Sequence, residues 1–260
     1  LSMMLTIIAP LGFASTAGGF WTAALWRCLQ GVGLAGTYMP GLKLLTDVVP
    51  ESARSRTVAW YTALFYVGAA LSLYFGTNLN GLMDWRWIWM FSASGPAIAL
   101  LMVWLILPAA PPNIADLPAG GLLDLRPALT NRKVMGFTMA YSAHSAELMG
   151  FYTWIVAFLT FSQGMQHPGT PGTSLGIGAI ASTVTLLAVP ASVLGNEAAG
   201  RFGRLRVLRI VMFGSAVVAT ALGFSATLSF PVVLGLLVLY GITVAADSAT
   251  ITAGVVEVAE

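Results

Sequence analysis

Charge is what this sequence has least of: 12 Lys and Arg with 10 Asp and Glu make up 8% of 260 residues, against 57% hydrophobic residues. So few charges cannot cover the surface of a soluble globular domain of this size. Together with a mean hydropathy of +0.83, that excludes the soluble class and assigns the chain to a lipid bilayer. Cysteine is nearly absent too. The single Cys28 rules out an internal disulfide or a multi-cysteine metal centre and reads as a small packing residue. No His-rich or Cys-rich motif offers a metal site. There is no Gly-rich Walker loop, so ATP-driven work would need another subunit. No Gly-x-Ser-x-Gly elbow is present. The strand-length alternation of a membrane β-barrel is also missing. The formal net charge of +2 says little about soluble partners; no cofactor and no nucleic acid are expected.

What is there is apolar sequence in long runs. A bilayer core needs about 20 apolar residues per helix, and eight such runs follow one another at residues 1–17, 20–45, 57–79, 87–107, 134–162, 174–195, 206–227 and 230–254. The expected fold is therefore all-α, a polytopic transmembrane helix bundle. Residue 1 is Leu and the first run begins at once, without a basic n-region or a cleavage site, so the sequence reads as a fragment. The segment 108–133 is rich in Pro, Gly and charge and reads as a linker between two groups of four spans, 1–107 and 134–260.

Cations orient the bundle, because Lys and Arg are retained in short cytoplasmic loops. Lys43, Arg54, Arg56, Arg126, Arg132, Lys133, Arg201, Arg204, Arg206 and Arg209 fall after spans two, four and six. The opposite side carries only Arg86, in "MDWRWIW", whose tryptophans suit the membrane interface. Residue 1 and the linker are thereby expected to be cytoplasmic.

Four ionisable residues lie well inside spans, where each costs at least ~2.5 kcal/mol at the bilayer centre: Arg27, His144, Glu147 and Asp247. They fall on spans two, five and eight, one span in every three, as a bundle of three-helix repeats around a common axis would require. His144 and Glu147, three residues apart in "AYSAHSAELMGFYTW", share a helical face that continues to Phe151 and Trp154.

The text around Arg27, "WRCLQGVGLAGTYMPGLKLL", carries a resemblance. Arg27, Gln30, Gly31 and Gly33 match the Arg-x-x-Gln-Gly-x-Gly signature in the fourth helix of the major facilitator superfamily. "VPESARSRTVAWY" is similar to that family's loop between helices four and five, and "DWRWIWMFSA" to the start of its sixth helix. "NEAAGRFGRLR" resembles its Gly-x-x-x-Asp-Arg-x-Gly-Arg loop motif between helices eight and nine. There Arg201, Gly203 and Arg204 agree, while Asn196 replaces the first Gly and Gly200 the Asp, leaving Glu197 as the substitute acid. The resemblance covers the whole chain as family helices three to ten.

It implies a secondary active transporter that works by alternating access, a monomer in its full-length form and integral to the membrane, the bacterial inner membrane being expected. It also implies that spans two, five and eight line a central cavity. Proton-coupled symport or antiport of a small organic metabolite or drug-like compound is the leading function, without enzymatic activity. A membrane-embedded hydrolase using His144 with Ser142 or Ser145, or a non-transporting receptor on the same fold, are the alternatives.

The residues keep two readings each. Arg27 contacts protons or anions, or else fixes packing, with Gln30 as its orienting partner. Gly31 and Gly33 permit close helix approach, and Arg201, Gly203 and Arg204 form a conformational loop. His144 and Glu147 carry protons as a pair or serve as structural hydrogen-bonders. Asp247 is a proton or substrate site or a hydrogen-bonded acid near a helix bend. Tyr141 and Trp154 contact ligand or pack.

Overall fold

The computed structural model describes residues 1–106, 126–166 and 174–259. The expected linker at 108–133 lies outside the described residues up to 125. Every regular element among the described residues is a helix. Six segments are long and apolar enough to cross a bilayer: Glu51–Leu79, Trp85–Ile106, Arg132–Gln166, Gly176–Phe202, Arg204–Gly223 and Phe230–Val255. These correspond to the third to eighth expected spans. The first, α1 (Ser2–Thr16), has 15 residues, fewer than the ~20 a straight crossing needs. The second, α2 (Phe20–Val48), has the length, with 29 residues, but Arg27, Gln30, Lys43 and Asp47 dilute its apolarity. Pro40 is accommodated inside α2, as membrane helices tolerate when neighbouring groups re-satisfy the freed backbone.

Packing divides the chain into two compact units, residues 1–48 with 79–124 and residues 49–78 with 125–260. Helix α3 (Glu51–Leu79) therefore packs with the second unit, although it precedes the linker.

In the first unit α1 runs along α2, and the pair α4 (Trp85–Ser92) and α5 (Ser94–Ile106) packs on α1. Small residues set the approach of α1 to α2. A Cβ on Gly33 would press against Thr6 and the Ser2 carbonyl, and one on Gly12 would collide with the Trp26 ring. Close contact of this kind replaces the hydrophobic drive that is missing between helices in lipid. Helix α4 starts at Asp84, whose carboxylate accepts from the Arg86 backbone N–H at 2.9 Å, an N-cap of the usual kind. It delivers Trp85 and Trp89 to the ring of Phe13 on α1.

In the second unit, the short α6 (Arg126–Thr130) leads into α7 (Arg132–Gln166), followed by α8 (Ser174–Phe202), α9 (Arg204–Gly223), α10 (Phe230–Ala246) and α11 (Ser248–Ala259). Tyr66 of α3, Leu148, Phe151, Ile155 and Leu159 of α7, Ile177 and Val184 of α8 and Leu237 and Val244 of α10 form one buried core. Helices α10 and α11 belong to one apolar stretch interrupted at Asp247. A Cβ on Gly195 of α8 would run into the backbone carbonyl oxygen of Ala246, so only glycine lets α8 pass this break so closely.

Candidate functional site

The break between α10 and α11 builds the first part of the site. Asp247 closes α10 in a right-handed helical conformation, φ −91° and ψ −16°, and its side chain turns into the protein, 3% exposed. His144 on α7 is equally buried, at 2%. Its Nδ1 lies 2.9 Å from Asp247 Oδ1. The contact lies off the axis of a directed hydrogen bond, and neither atom finds another partner among the described residues. An acid and a base sealed together in a low-dielectric interior are held chiefly by each other. The hydroxyls of Ser192, one turn from Gly195, and of Thr250, one turn from Asp247, are also fully buried without a protein partner among the described residues.

Glu147 does not complete a pair with His144. One oxygen of its carboxylate accepts from the Ser215 hydroxyl of α9 at 2.6 Å. The two residues share a face of α7, but Asp247 at the α10–α11 break meets that face at His144 and Ser215 of α9 reaches it at Glu147, so the two groups face different elements. Glu147, Phe151, Trp154, Leu222 and Tyr240 line an open cleft of about 370 Å³ between α7, α9 and α10. Trp154 stands at its rim, 68% exposed. The Tyr141 ring lies 6.3 Å from that of His144. Ser215 was not visible as a site residue in the sequence. A serine within an apolar run is common in membrane helices, and only its depth in "VMFGSAVV" offers a signal.

The second part belongs to the first unit. Arg27 donates from Nη1 to Gln30 Oε1 at 2.9 Å, and its guanidinium lies over the Trp89 ring at 5.2 Å from the centroid. These are its only side-chain partners among the described residues. Trp89 reads in the sequence as an interfacial anchor, and nothing in the spacing links residue 89 to residue 27. Gly31, one turn beyond Arg27, faces open space, with nothing within 4 Å of a Cβ built there. Close approach to α1 is made instead by Gly33 and Gly36.

The loop motif connects to the break. Gly203 has φ +91°, a left-handed conformation that glycine adopts without strain, and it turns the chain sharply from α8 into α9. Arg204 then donates from Nη1 to the Thr250 carbonyl of α11 at 2.9 Å. Arg201 sits in the last turn of α8, where a cation complements the helix dipole. Asn196 donates through Nδ2 to the Ser55 hydroxyl at 3.1 Å, and Glu197 lies 3.6 Å from Arg56 of α3.

The description "Major Facilitator Superfamily" matches residues 1–260. Among curated proteins the chain is 25% identical over 179 residues to the D-galactonate transporter of Escherichia coli, covering 59% of this chain and 41% of that protein. It is 28% identical over 96 residues to the MFS-type transporter pydD of an Acremonium species, covering 37% and 17%. It is 27% identical over 109 residues to the MFS-type transporter TwmF of Talaromyces wortmannii, covering 40% and 20%. The chain thus spans less than half the length of these relatives. Its fold is similar to that of the xylose transporter XylE from E. coli in a partially occluded inward-open conformation, with a TM-score of 0.62, 16% identity, and 98% of this chain against 68% of that one covered. The all-helical, membrane-spanning architecture, the signature around Arg27 and the match along the full sequence agree: the chain belongs to the major facilitator superfamily of membrane transporters.

Proposed function

We propose that the full-length protein moves a small organic metabolite across the membrane by alternating access, coupled to protons, and that His144 and Asp247 form the proton-carrying pair. The observation that carries this reading is the burial of the two groups against each other at the α10–α11 break. A buried acid–base pair changes its net charge by one when a proton arrives or leaves. In an apolar interior that change is expensive unless the partners move. An interrupted helix supplies the moving part, because discontinuous helices bring backbone dipoles and ionisable side chains to transport sites. The Arg204 bond to the Thr250 carbonyl ties the α8–α9 loop to α11, so motion of α11 reaches the loop motif.

The relative named as a D-galactonate transporter supports a metabolite as cargo. Residue 1 and the linker face the cytoplasm in this reading, the chain divides functionally at the linker, and the full-length protein acts as a monomer. The test is uptake by the purified full-length protein in proteoliposomes, with D-galactonate and related sugars and sugar acids as candidate solutes. Inward proton gradients should drive accumulation, and Asp247→Asn should abolish accumulation while leaving solute exchange. Accumulation by Asp247→Asn equal to wild type would sink the proposal.

A further inference from the structure

We infer that the cleft between α7, α9 and α10 is a binding site for a lipophilic organic cation, with the Glu147 carboxylate as its counter-charge. The site is separate from the proton pair, since Glu147 is bonded to Ser215 rather than to His144. Its third wall, α9, is also not among the helices that the family resemblance places around the central cavity. The inference therefore stands on the cleft alone and does not rest on proton coupling.

The walls set the apolar part of the ligand. Phe151, Trp154, Phe158, Leu222 and Tyr240 surround about 370 Å³ of open space. Aromatic rings present their negative faces to a cation, and cages of such rings take quaternary ammonium groups. Phe151 is 7% exposed and meets the Tyr240 ring edge to face, centroids 5.2 Å apart, which holds the inner rings in place. Two glycines keep the space clear, because a Cβ built on Gly150 or on Gly223 meets nothing within 4 Å.

One acid sits in this wall, and it sets the sign of the ligand. Glu147 is half-buried, and the Ser215 hydroxyl that donates to it at 2.6 Å fixes the carboxylate at the cleft. The Tyr240 side chain adjoins the same carboxylate. Both neighbours are hydroxyls, and a carboxylate has about four lone-pair positions, so acceptor capacity is left for a ligand. No second charged residue lines the cleft among the described residues. Apolar walls weaken screening, so a single carboxylate among rings attracts a cation and repels an anion. A lipid tail or a further helix would fill an apolar groove as well without the acid, and charge is what separates these occupants from a cation.

The experiment is equilibrium binding of tetraphenylphosphonium to the full-length protein in nanodiscs of neutral lipid, with binding to empty nanodiscs subtracted. Tetraphenylborate, of similar size and shape but opposite charge, is the control. The phosphonium should bind saturably and about tenfold more tightly than the borate, a difference of about 1.4 kcal/mol. That comparison is made on the unaltered protein and needs no variant to fold. Glu147→Gln should weaken phosphonium binding about tenfold, and Glu147→Asp, which keeps the charge, should retain more of it. Gly150→Leu keeps the acid but fills open space, and it should block binding. Absence of saturable phosphonium binding, equal affinity for the two ions, or binding that survives either Glu147→Gln or Gly150→Leu overturns the inference. Phosphonium binding without proton-driven uptake would remove the coupling proposal and leave this one. Proton-driven uptake without phosphonium binding would do the reverse.

Discussion

The two units of this protein hold charge on their helices in opposite ways. In the second unit His144 and Asp247 are sealed together, 2% and 3% exposed, and answer each other. In the first, Arg27 is exposed and stands with an amide and an indole but no acid among the described residues. One pair of opposite charges is internally matched; the other charge is permanent and meets an amide and an indole instead. A matched, sealed pair loses its partner's charge when either member is removed, whereas an exposed guanidinium keeps its solvation.

The comparison can be broken most forcefully at Asp247. Replacing it by Ala leaves His144 buried beside an empty position, and removing one partner of a buried pair costs about 3–5 kcal/mol. Thermal unfolding of the full-length protein should show that loss. In a double-mutant cycle His144→Ala should add much less than its own single cost, because the two act together. Arg27→Ala, the mirror experiment in the first unit, should leave the unfolding temperature nearly unchanged. Equal destabilisation by the two alanine variants would erase the distinction between a matched and an unmatched charge.

A second break is steric. Gly195→Ala forces a methyl against the Ala246 carbonyl oxygen, and overpacking of this kind costs about 1–3 kcal/mol. It should also slow transport by displacing the break that carries Asp247. Ser215→Ala removes the hydroxyl that donates to Glu147 and should cost about 1 kcal/mol with proton-driven uptake largely kept, since Glu147 is not bonded to His144. The smallest effect belongs to Gly31→Ala, which meets open space. It should change stability by less than about 0.5 kcal/mol.

Much of the architecture was legible because lipid imposes strong rules. Helices must satisfy their own backbone, so apolar runs of sufficient length became helices, some of which run past the apolar stretch into polar sequence, as α3 does at Glu51 and α8 at Phe202. The bend at Asp247 was readable as a polar residue within a span. Partner choice was not. His144 and Glu147 are neighbours on α7, yet the first faces Asp247 at the α10–α11 break and the second Ser215 of α9, a consequence of helix approach that no spacing along one helix encodes. Trp89 is the same lesson in the first unit, since an interfacial tryptophan and a platform for Arg27 have the same sequence signature. Gly31 and Gly33 are equally small and two residues apart. Helical geometry turns one toward α1 and the other to open space, and only packing tells which.

The central claim is that the buried His144–Asp247 pair exchanges the coupling proton, and its most direct measurement is solute-driven proton movement. Proteoliposomes holding the full-length protein and a pH-sensitive dye would receive an inward gradient of a transported solute with no imposed pH gradient. Wild-type protein should change the internal pH as solute moves, and Asp247→Asn should exchange solute with the internal pH flat. A pH change in Asp247→Asn as large as that of the wild type would contradict the account.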